Sequence, residues 1–100
     1  MAAYVIVDVR INDPEVYAEY RRLTPASIAA YGGRFVVRGG ASEALEGDWA
    51  PERIVVLEFE SVARAKAWWS SAEYAPAKAL RQRSATTRMI LVEGYDPPVT

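Results

Sequence analysis

The chain has 100 residues, 51% hydrophobic and 25% charged, which suits one globular domain with a single modest core and is too apolar for a disordered segment. Twelve Lys and Arg nearly balance thirteen Asp and Glu, for a net charge of -1, so nucleic-acid binding through a broad basic face is excluded. Without cysteine or histidine, the chain cannot form disulfides, thiolate nucleophiles, zinc-thiolate sites or the usual proximal haem ligation.

The first apolar run, Ala3 to Ile11, alternates. Val5, Val7, Val9 and Ile11 fall on one face, and Tyr4, Ile6, Asp8 and Arg10 on the other, which predicts a strand. The run is too short and too charged to span a membrane and lacks the basic start of a signal peptide, so a cytoplasmic location is expected. Asp13 then stands as an N-cap before Pro14 and Glu15, and Val16, Tyr20, Leu23, Ser27 and Tyr31 recur at helical spacing. Pro25 is expected to kink that helix, and Gly32-Gly33 to end it.

RFVVR, Arg34 to Arg38, is the second strand, and Gly39-Gly40 opens a loop prolonged by Gly47, Asp48 and Pro51. The third strand runs from Arg53 to Glu60. Ser61 caps a helix carrying Val62, Ala65, Trp68 and Trp69, Ser70-Ser71 interrupts it, and a short helical piece covers Pro76 to Arg83. Arg88 to Tyr95 is the last strand, closing a domain of residues 1–96 before a tail of residues 97–100.

The order β-α-β-β-α-β is that of a ferredoxin-like α+β fold: a four-stranded antiparallel sheet with its helices on one face. The other face would hold Tyr4, Ile6, Asp8 and Arg10; Arg34, Val36 and Arg38; Ile54, Val56 and Glu58; and Met89, Leu91, Glu93 and Tyr95. So large an apolar patch implies a homodimer through that sheet face.

YGGRFVVRGG, LEGDW and the spacing S-x-EY-x-x-x-K-x-x-R from Ser71 to Arg81 resemble the DUF1330 family, a domain of unknown function, and the resemblance covers nearly the whole chain. It implies a dimeric α/β barrel of ferredoxin-like subunits and supplies no reaction. Families related by that barrel include quinone-forming monooxygenases, haem-dependent enzymes and lactone isomerases, and the missing histidine speaks against the haem branch.

Four residues are candidates for substrate binding. Arg38 stands before a glycine pair and could grip a carboxylate or enolate; the plainer alternative is an ion pair with Glu58 or with the other subunit. Trp68 and Tyr74, together with Trp69, could wall an apolar pocket, or simply pack in the core or a dimer contact. Arg81 lies about two turns after Tyr74 on one helical face, so the pair could polarise a carbonyl or form a solvated flank. Trp49 is expected to latch onto a partner subunit, and Asp8, Glu58 and Glu93 to pair with arginines and hold no metal.

The functional expectation is a small homodimer that binds or transforms a small organic carboxylate or enolate-like molecule without metal or haem. The alternative is a non-catalytic dimeric interaction module. No cofactor, nucleic acid or membrane partner is expected.

Overall fold

A computed structural model describes residues 1–98. The elements are β1 (Ala3–Ile11), α1 (Pro14–Ala30), β2 (Arg34–Arg38), β3 (Arg53–Phe59), α2 (Val62–Trp69), α3 (Ala75–Ser84) and β4 (Ala85–Glu93). The sheet is antiparallel throughout, in the order β2-β3-β1-β4. Val5, Val7 and Val9 join Val55, Leu57 and Phe59 in a core closed by Ile28, Trp68, Tyr74 and Ala77 of the helical layer. The fold is ferredoxin-like α+β, as the element order requires. Of the expected tail, Pro97 and Pro98 lie outside any helix or strand, and Val99 and Thr100 lie outside the described residues.

Local chemistry sets the boundaries. Asp13 accepts a hydrogen bond from Val16 N–H, and Ser61 accepts one from Arg64 N–H, each satisfying a free donor at a helix start. At the end of α1, Gly32 N–H bonds to Ala29 C=O and Gly33 N–H to Ile28 C=O, with Gly32 at φ 73°. This is the paired six-to-one and five-to-two closure that a left-handed residue permits. Gly33 is required for another reason: a Cβ there would lie 2.5 Å from the Phe59 ring.

α1 buries a different stripe from the one expected. Tyr17, Thr24, Ser27 and Ile28 face inward while Leu23 is exposed. The two polar residues can be buried because their hydroxyls donate to Tyr20 C=O and Thr24 C=O, and Ser27 also accepts the Trp68 indole N–H at 3.1 Å.

Two strands depart from simple alternation, and both departures move candidate residues. A bulge between Phe35 and Val37 adds a residue to β2, so Arg34 opposes Glu58 but Arg38 opposes Val55. Val55 belongs to the core face, so Arg38 lies on the helix side and not beside Glu58 on the bare side. In β4, Met89 opposes Val7, Leu91 opposes Val5 and Glu93 opposes Ala3, which places them on the helix side too. The bare face receives Arg88, Ile90 and Val92 in their place, and Tyr95 lies beyond the strand. Met89-Ile90-Leu91-Val92 is apolar without a break, so its phase is set by pairing with β1 and not by its own pattern.

Candidate functional site

The turn between α2 and α3 is closed by one side chain. Ser71 Oγ donates to Trp68 C=O at 2.7 Å and accepts from Tyr74 N–H at 3.1 Å. This seats Tyr74 against Trp68, with ring centroids 4.1 Å apart, and starts α3 beneath them. About two turns later, Arg81 Nε donates to Tyr74 Oη at 3.1 Å and Arg81 Nη1 donates to Thr87 Oγ1. Tyr74 and Tyr20 share a further hydrogen bond at 3.1 Å. Burial, and then the neighbouring Tyr74, push the Tyr20 hydroxyl well above its ordinary pKa. Tyr20 therefore stays a neutral phenol at neutral pH and is not available as a phenolate base.

Arg81 is only 4% exposed. Among the described residues its guanidinium has neutral hydroxyl partners and no ion pair. A buried cation is normally paired, because removing it from water costs several kcal/mol. The same side chain lines a hollow of about 500 Å³ beside α2 and β4, walled by Val5, Met89, Leu91 and Trp69 and rimmed by Lys66. That volume suits a small organic molecule. The lining includes two cations and no carboxylate.

On the other side of the core, a narrower cleft between α1 and the sheet is lined by Arg38, Arg21, Arg53, Tyr17, Tyr20, Phe35 and Trp68. Pro25 explains how Arg38 is held. Lacking an N–H, Pro25 leaves Arg21 C=O without its intrahelical donor, and Arg38 Nη2 donates to that oxygen at 3.0 Å. Arg38 also stacks over Phe35, 4.3 Å from its centroid.

Trp68, Tyr74 and Arg81 thus form one contiguous cluster, while Arg38 meets only Trp68, across the narrow cleft. The solvated-flank alternative for Tyr74 and Arg81 is corrected by their burial, whereas Arg83 is exposed. Glu58 binds Arg34 at 2.7 Å and Tyr4 Oη at 3.0 Å, and these bonds hold its carboxyl below the usual range. Asp8 pairs with Arg88, with the same effect, and takes the Trp49 indole N–H at 3.3 Å, so Trp49 lies against the bare face of its own chain. No group of three or more acids is placed to hold a metal among the described residues. No helix there is long and apolar enough to cross a membrane.

Sequence reasoning passes over Tyr20, Arg53 and Lys66 as site residues, while Trp69, weighed beside Trp68 as a pocket wall, lines the hollow. Only Tyr20 left a usable signal, an aromatic on the same helical stripe as Tyr17 and Thr24.

A family profile described as "Domain of unknown function (DUF1330)" matches residues 2–95. None of the curated proteins matches the chain. Among solved structures the chain is similar to a protein of unknown function from Rhodopseudomonas palustris, with 24% identity and a TM-score of 0.77 over 96% of this chain and 84% of that one. It is also similar to SnoaB, a cofactor-independent oxygenase from Streptomyces nogalater, with 13% identity and a TM-score of 0.62 over 96% of this chain and 94% of that one. At these identities the likeness shows the fold alone.

Proposed function

The chain belongs to the DUF1330 family, and from that premise we propose that it is a homodimeric binding protein for a small organic carboxylate with an apolar body, held in the hollow beside α2 and β4. One observation supports this above the others: Arg81 is a buried cation facing an apolar hollow with no carboxylate of its own. A carboxylate would supply the missing counter-charge through a bidentate contact, with Lys66 at the rim drawing it in. Binding is favoured over turnover because Ser70, Lys66 and Arg81 are the polar residues of the lining, and none is a ready proton acceptor. SnoaB is described as acting without a cofactor on the same fold, which supports an organic molecule occupying such a site unaided.

The test is thermal unfolding against benzoate, acetate and benzyl alcohol at matched ionic strength. Benzoate should raise the melting temperature saturably, while acetate lacks the apolar body and benzyl alcohol lacks the charge. Lys66→Gln should weaken benzoate about three- to tenfold by removing the rim cation. Equal responses to benzoate and benzyl alcohol would remove Arg81 from the reading.

The dimer would form through the bare sheet face, in a cytoplasmic protein whose residues 1–96 act as one unit. Ile6, Ile54, Val56, Val37, Ile90 and Val92 share that face, and Ile90 is 59% exposed. Four of its charges are already paired within the chain, Arg34 with Glu58 and Arg88 with Asp8, so a second copy can cover those without stranding an unpaired ion, while Arg10 at the edge stays exposed. Light scattering should give a dimer mass at micromolar concentration, and Ile90→Asp should give monomer. A wild-type monomer mass would overturn the assembly and leave the hollow unaffected.

A further inference from the structure

We propose that the cleft between α1 and the sheet is a second anion site, formed by Arg21, Arg38 and Arg53 and suited to a phosphate dianion, either free or as the terminal group of a phosphomonoester. All three guanidinium side chains belong to residues lining this one cleft, and no Asp or Glu lines it. None of the three forms an ion pair among the described residues. Three arginines concentrated without counter-ions repel one another, and a dianion with several oxygens matches them better than a single carboxylate.

A second observation is independent of that count. Arg53 Nε is buried with no hydrogen-bond partner, a rare condition for a charged donor. The side chain is fixed where it stands. Its guanidinium lies over Tyr17, 5.7 Å from the ring centroid, and packs so closely on Gly39 that a Cβ there would come within 2.1 Å of it. Arg38 is likewise fixed by Phe35 and by the carbonyl that Pro25 leaves free. Two of the three cations are therefore positioned before any ligand arrives, which lowers the ordering cost of binding.

The enclosed void in this cleft is about 20 Å³, room for about one water, so the phosphate would sit at the mouth, where Arg21 and Arg38 are exposed, with any ester group outside. The hollow at Arg81 is distinct, so this proposal stands independently of the carboxylate reading.

Inorganic phosphate and phenyl phosphate, each titrated at pH 8 against chloride at matched ionic strength, test it. A tenfold excess over the dissociation constant should raise the melting temperature by about 5 to 10 °C for a chain of this size. A response to both would mark a site for the free ion and its esters; a response to phenyl phosphate alone would mark a terminal-group site. Arg21→Gln, at a side chain with no ion pair among the described residues, should weaken phosphate about tenfold with the fold intact, and Arg38→Gln should do the same. Arg81→Met should leave the phosphate response unchanged while removing the benzoate response. No saturable shift with either phosphate, or a shift undiminished in both Arg21→Gln and Arg38→Gln, would overturn the site.

Discussion

Trp68→Ala should unfold most of the protein at 37 °C. Trp68 is 1% exposed and lies between the Phe59 ring, with centroids 5.4 Å apart, and the Tyr74 ring, at 4.1 Å. Truncating so large a buried aromatic costs about 3–5 kcal/mol in lost contacts and cavity. The variant would also leave Ser27 Oγ without its indole donor, within a stripe of α1 that is buried. The sum approaches the whole stability of a small domain, about 5–15 kcal/mol. Its neighbour offers the control. Trp69 is 45% exposed and packs against Lys78, whose Nζ stands 3.8 Å from the ring centroid, so Trp69→Ala should cost about 1 kcal/mol or less. Urea unfolding followed by circular dichroism separates the two. A Trp68→Ala midpoint close to wild type would mean that the helical layer is not built on this stack.

The contrast between the adjacent tryptophans shows what the sequence could and could not convey. Their adjacency forces one away from whichever face the other occupies, and helical spacing from Val62 and Ala65 points Trp68 inward. The caps at Asp13 and Ser61 and the Gly32-Gly33 closure were legible for the same reason: each is decided by residues within one turn.

Where the outcome depends on a distant partner, local pattern failed. Strict alternation in RFVVR puts both arginines on one face, but the bulge after Phe35 turns Arg38 to the other. The freed Arg21 carbonyl that receives it is made by Pro25, thirteen residues earlier in the chain. Proline was legible as a local disturbance of α1, whereas its role as a docking point for β2 required the fold. The four-residue apolar run of β4 had no phase of its own, so Met89 and Leu91 were assigned to the wrong face. Arg81 is the same case in the site. An arginine on a short last helix suggests a solvated flank, and only the packing of α3 against β4 and Tyr74 buries it.

Arg81→Met is accordingly the substitution that separates binding from architecture. Methionine keeps an unbranched chain of comparable length and removes the charge. In the empty protein, two opposing terms meet. Relieving a buried cation of its desolvation returns several kcal/mol, and losing its bonds to Tyr74 and Thr87 costs about 1.5–3 kcal/mol each. Tyr74 keeps its bond to Tyr20, which limits the loss at that hydroxyl. The two terms nearly cancel, so the two proteins should differ by about 1 kcal/mol or less without ligand, while benzoate affinity falls by about 100-fold or more. In saturating benzoate wild type should be clearly the more stable, because only wild type draws free energy from the bound carboxylate. A purely architectural arginine predicts something else: Arg81→Met would lose about 3 kcal/mol or more, and benzoate would affect neither protein. Denaturant unfolding of both proteins with and without benzoate distinguishes these results. Two proteins of nearly equal stability that separate only when benzoate is present would show that Arg81 is kept charged for an anion that the chain itself does not supply.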